Sequence, residues 1–158
     1  MRTNGRMLGM GIATALIWAI LPVLPAFSHC EIPCGIYGDK MRIDMMNEDI
    51  ATIEKSMKQI VDLSSEAKPN YNQIVRWVVN KEHHADKFRD IVTQYFMAQR
   101  IKPAAPEETK AYSAYLHQLK LLHEMIIYSM KCKQTTDLAN VEKMRQLVAE
   151  FAKAYLGP

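Results

Sequence analysis

The sequence predicts an all-α protein: an antiparallel, up-down four-helix bundle preceded by a short cysteine-bearing segment and an apolar leader. Three observations carry this reading. Four stretches, each of about 20 to 30 residues, repeat apolar side chains at helical spacing. The breaks between them are short, polar and marked by Pro, Gly, Ser or Thr. Eleven methionines and six glycines in 158 residues, with few β-branched runs, favour helices over an all-β fold.

Residues 1–28 have the three parts of a cleavable secretory signal peptide. Arg2 and Arg6 make a positive start, residues 8–23 an apolar middle, and Ala26-Phe27-Ser28 supplies small residues one and three before a cut. The apolar run is interrupted by Gly9, Gly11 and Pro22 and falls short of the roughly 20 residues that a spanning helix needs. Cleavage by signal peptidase would fall directly before His29. The expected division is therefore a leader over 1–28, a hook over 29–38 and a bundle over 39–158. The expected destination is periplasmic or extracellular, with no stable membrane association after cleavage.

The first helix is expected over 41–63, with Met46, Ile50, Ile53, Met57 and Ile60 spaced four, three, four and three apart. Gly38-Asp39 precedes it, and Asp39 is placed to cap its first amides. Ser64-Ser65 through Pro69-Asn70 ends it. The second helix is expected over 71–99, with Ile74, Val78, Ala85, Phe88, Val92 and Tyr95 on one side. Lys102-Pro103-Ala104-Ala105-Pro106 breaks the chain again. The third helix starts near Glu107-Glu108, whose charges suit a helix N-terminus, and carries Tyr112, Tyr115, Leu119, Leu122, Ile126 and Met130. Thr135-Thr136-Asp137 caps the fourth, whose core line is Val141, Met144, Val148, Phe151 and Tyr155, with Gly157-Pro158 as its stop.

Charge excludes some partners. The net charge is +3, and losing Arg2 and Arg6 with the leader brings the 130 residues that remain to +1. So small an excess argues against nucleic acid or a polybasic membrane contact. The three cysteines, Cys30, Cys34 and Cys132, are an odd count, which does not close a disulfide framework.

The chemistry lies in His29-Cys30-Glu31-Ile32-Pro33-Cys34-Gly35-Ile36-Tyr37. Pro33 fixes one dihedral angle before Cys34 and Gly35 lets the chain turn after it, so both sulfurs can face one ion. As the first residue, His29 would add its α-amine and its imidazole, and the backbone amide of Cys30 a further nitrogen. Nitrogen and thiolate donors in a plane favour nickel or copper over tetrahedral zinc. The pair alone, in an oxidising compartment, more often forms a small Cys30–Cys34 disulfide loop. The histidine at the cleavage site is what favours the metal.

The pattern His29-Cys30-x-x-Pro33-Cys34-Gly35-x-Tyr37 resembles the nickel hook of the nickel superoxide dismutases. The resemblance implies a nickel ion cofactor, superoxide as substrate, oxygen and hydrogen peroxide as products, and assembly into a homohexamer. It implies that Cys30 and Cys34 give thiolates and Cys30 also its amidate. His29 would give its amine and, in the oxidised state, an axial imidazole. Tyr37 would sit over the open face and control approach of the anion, and Asp44 would steady the histidine ring. This chain departs from the family pattern at Glu31 and Gly38, where aspartates are usual. Asp44 is one carbon shorter than the usual acid, and His84 stands where an arginine is usual.

Other clusters read as structural. His83 and His84 are adjacent and point about 100° apart on a helix, so with Asp86 they suit a surface or interface better than one ion. His123-Glu124 opens like a zinc-protease motif but lacks the second histidine. His117 and His123 face differently. Cys132 reads as a buried or capping thiol. Two rival functions stand beside the dismutase: a non-catalytic nickel- or copper-binding exported protein that also uses Met41, Met45 and Met46, and a helical interaction protein with a simple disulfide.

Overall fold

The computed structural model describes residues 38–157. The expected leader, the expected donors His29, Cys30 and Cys34, and Tyr37 lie outside the described residues. Four helices follow Gly38: α1 (Asp39–Ser64), α2 (Tyr71–Asp90), α3 (Thr109–Gln134) and α4 (Leu138–Leu156). A π-helix, π1 (Ile91–Arg100), continues α2 without a break. No strand occurs among the described residues. The helices pack as a ring in which α1 meets α2 and α4, and α3 meets α2 and α4, the arrangement of an up-down bundle. No helix among the described residues is long and apolar enough to cross a membrane.

The apolar stripes form the core. Met46, Ile50, Ile53 and Met57 of α1 are fully buried, against Phe88, Val92 and Phe96 from α2 and π1. Leu122 and Met125 of α3 and Met144, Val148 and Phe151 of α4 complete it. Each such side chain contributes about 1.5–3 kcal/mol relative to exposure. Met46, Met57, Met125 and Met144 are fully buried in the core, and their unbranched chains suit irregular gaps.

The caps follow local chemistry. Asn70 Oδ1 accepts from the Gln73 amide at 3.2 Å, and Asp137 Oδ1 from the Ala139 amide at 2.9 Å. Gly157, at φ 84°, ends α4 in the left-handed region that a side chain disfavours. Four buried polar side chains are each bonded. Ser56 Oγ donates to the Thr52 carbonyl at 2.8 Å and accepts from Asn80 at 3.0 Å. Ser129 Oγ donates to the Ile126 carbonyl at 2.8 Å. Lys81 Nζ donates to the carbonyls of Lys133 and Thr135 at 2.6 and 3.2 Å, closing the C-terminus of α3. Asp49 bonds His84.

Three expectations are corrected. Asp39 does not cap α1: Gly38 holds the cap position without a side-chain bond, and the Asp39 carboxylate turns to other elements. Val78 and Met130 are exposed, at 37% and 48%. The buried line of α3 runs instead through Leu122, Met125, Ser129 and Cys132, because α3 is apolar on a wide arc and packing selects its phase. The end of the second helix is π rather than α. Ile91, Val92, Tyr95 and Phe96 of this segment are all buried, and its i→i+5 bonding shows at its end, where the Ile101 amide meets the Phe96 carbonyl at 2.9 Å.

Candidate metal centre

Gly38 follows the motif at 29–37 in the chain and leads into α1, so the first turn of that helix is the described part nearest to it in sequence. Asp39 sits there among three donors. Tyr95 Oη donates to its Oδ1 at 2.6 Å, Arg100 Nη2 to its Oδ2 at 2.7 Å, and Tyr155 Oη to the same Oδ2 at 3.0 Å. Arg100 Nε also donates to Tyr155 Oη at 3.3 Å. Burial pushes the Asp39 carboxyl up, but hydrogen bonds from Arg100, Tyr95 and Tyr155 outweigh it and hold the group below the usual carboxylate range. Burial, with the bond to Asp39, pushes the Tyr95 phenol up to about 12.

The rings around this carboxylate are themselves packed. Phe96 meets Phe151 edge-on at 4.9 Å and Tyr155 at 5.5 Å, while Phe151 and Tyr155 stack at 5.4 Å. The Arg42 guanidinium lies 4.9 Å from the centre of the Tyr95 ring, within cation–π range.

Asp44, one of the expected site residues, lies on the exposed side of α1. Its oxygens accept from Lys40 Nζ at 3.1 and 2.8 Å, and its side chain is 56% exposed. The buried carboxylate of α1 is Asp49, and its partner at 2.7 Å is His84. His83 is exposed and meets His84 edge-on. His117 is 3.7 Å from Glu150, a separate surface pair. Cys132 is fully buried, with Sγ 3.4 Å from Met144 Sδ, and burial pushes its thiol up to about 11.

Among the described residues no group of three His, Cys, Asp or Glu side chains could hold a metal ion. The residue types at 29–34 fit nickel in their chemistry: two cysteines and a histidine could offer thiolate and nitrogen donors, the soft ligands that a planar transition-metal ion prefers.

A family model described as nickel-containing superoxide dismutase matches residues 25–157. No curated protein and no solved structure matches the chain. The matched region takes in the hook sequence and all four helices, and it defines a metal-dependent oxidoreductase built on a helical bundle. The chain belongs to the nickel-containing superoxide dismutase family. Its cofactor is nickel, and the family's activity is the disproportionation of superoxide.

The roles of three side chains escaped the sequence reading. Arg100 had no signal, lying at the end of a helix in a polar stretch. Tyr95 and Tyr155 read as core residues, and only the structure turns their hydroxyls to Asp39.

Proposed function

We propose that signal peptidase removes residues 1–28 and that His29, Cys30 and Cys34 then hold the nickel of an exported superoxide dismutase. The observation that carries this reading is the reach of the family match: it begins at residue 25 and includes the whole hook sequence. A cut before His29 is what turns its backbone nitrogen into a free amine beside its own imidazole. The bound nickel supplies one-electron oxidation and reduction between Ni(II) and Ni(III), at a potential that thiolate and amidate donors lower.

The chain's own residues bind, orient and screen. Cys30 and Cys34 must lose their protons to act as ligands, so nickel uptake releases protons and weakens in acid. Tyr37 restricts the approach of the superoxide anion. Two superoxide anions and two protons are consumed for each oxygen and hydrogen peroxide formed. Asp44 supports the His29 ring. Its bond to Lys40 joins two exposed groups and is worth about 0–1 kcal/mol, so it is easily exchanged for an imidazole N–H.

The working form is a homohexamer in the periplasm or outside the cell. Tyr71, Val75 and Val79 lie four apart on one face of α2 and are exposed at 73%, 59% and 60%, a stripe suited to subunit contact.

The test compares the chain beginning at His29 with a copy retaining Ser28. The first takes up one nickel and disproportionates superoxide; the second binds nickel differently and is inactive. Cys30→Ser and Cys34→Ser each abolish activity. Full activity in the Ser28 copy would overturn the ligand assignment, and nickel uptake without turnover would leave a metal-binding module.

A further inference from the structure

Helix starts are loose by default, because the first four amides lack intrahelical partners. Gly38 adds no side-chain cap, and the first backbone bond, from the Arg42 amide to the Gly38 carbonyl, is 3.3 Å long. The start of α1 is nevertheless tied to two distant elements. Tyr95 and Arg100 of π1, and Tyr155 of α4, all converge on Asp39. The carboxylate is only 18% exposed and Arg100 32%, so this is a partly desolvated, charge-assisted cluster rather than a surface pair.

The π-helix explains the convergence. Residues five apart diverge by roughly 140° on an α-helix, but an i→i+5 helix brings them nearly above one another. The Ile101 amide bonds the Phe96 carbonyl at 2.9 Å, and Gln99 Nε2 bonds the Gln94 carbonyl at 2.7 Å, both at this spacing. Tyr95 and Arg100 are five apart and so reach one carboxylate. Stacking on Phe151 holds the third donor, Tyr155, in place.

We infer that Asp39 is the mount of the nickel hook and that Arg100 and Tyr155 are positioning residues that hold the mount rigid. This rests on the reading that His29, Cys30 and Cys34 bind the metal. Only Gly38 separates Asp39 from Tyr37, so fixing Asp39 fixes the point from which the hook must fold. Ordering a chain segment on binding costs conformational entropy, and a stub ordered in advance reduces that cost. Groups that hydrogen-bond directly to metal ligands typically change metal affinity by about 10–100-fold, and a mount acting through the backbone belongs at the lower end of that range.

The test measures nickel affinity of the chain beginning at His29 by competition with a chelating dye, beside helix content of the nickel-free chain. Asp39→Asn and Arg100→Gln weaken nickel binding by about tenfold at unchanged helix content. Tyr155→Phe, which removes one hydroxyl and keeps the ring, weakens it less, and Arg100→Lys restores part of the loss. Glu54→Gln is the control: it breaks the 2.6 Å bridge from Arg145, another α1–α4 tie, at a site further along α1, and leaves nickel affinity unchanged. Unchanged affinity in both Asp39→Asn and Arg100→Gln, or an equal loss in Glu54→Gln, overturns the mount. If Cys30→Ser and Cys34→Ser bind nickel as well as the parent chain, the hook reading falls, and the mount with it.

Discussion

The Nδ1 atom of His84 lies 2.7 Å from Oδ1 of Asp49, joining α2 to α1 at a carboxylate that is 5% exposed. Lys87 Nζ, at 3.9 Å, is the next charge to that oxygen. The pair holds two neighbouring helices in register within the bundle. Truncating His84 to Ala leaves a buried carboxylate with only the distant lysine, and costs about 1–3 kcal/mol. A double-mutant cycle with Asp49→Ala, read by urea unfolding, should return a coupling of about 1 kcal/mol or more. Additive losses would show that the two side chains act separately.

The Asp39 cluster predicts a defined acid dependence. Asp39 has a folded-state pKa below its ordinary value of 3.8. The unfolded chain therefore binds a proton more readily than the folded one, and stability falls with pH only in this region. The contribution of Asp39 is fully present above the ordinary value and is lost as pH falls through the lowered one. Urea unfolding of the parent chain and of Asp39→Asn should differ at neutral pH, and the difference should shrink as pH falls below the ordinary value of 3.8. A difference that persists unchanged into strong acid would remove the ionic account of this cluster.

Burial makes Cys132 a spectator. Its thiol is pushed up to about 11 and has no solvent access, whereas thiol reagents attack exposed thiolates. The reduced, nickel-free chain beginning at His29 should show two fast-reacting thiols near neutral pH and a third only on denaturation. Cys132→Ser places a hydroxyl against Met144 Sδ and costs about 1–3 kcal/mol, while nickel uptake is retained. A loss of nickel in that variant would make Cys132 a participant.

The exposed stripe on α2 predicts the assembly. Val75→Lys with Val79→Lys puts two charges into the proposed apolar contact without touching the core. Light scattering should report about six chains for the parent and fewer for the double variant, at unchanged helix content. A variant that still assembles would move the contact elsewhere, and the exposed Leu116, Ile127 and Met130 of α3 are the next surface to test.

The sequence by itself determined which segments are helical, where they break, and which line of each of α1 and α4 enters the core. These properties are local. A stripe at spacings of three and four, an Asn or Asp before a helix and a Pro-rich break act within a few residues, and the bundle inherits them. The family was legible for the same reason, since the motif at 29–37 is carried by adjacent residues whatever the rest of the chain does. Tertiary structure decided the phase of α3, the π form of the last turns before Arg100, and the partners of Asp39 and Asp49. Asp39 finds its partners 56, 61 and 116 residues away, and Asp49 finds His84 35 residues away. No periodicity records such pairings. They arise because packing brings particular faces together, and a partly buried carboxylate must then find donors among whatever those faces present.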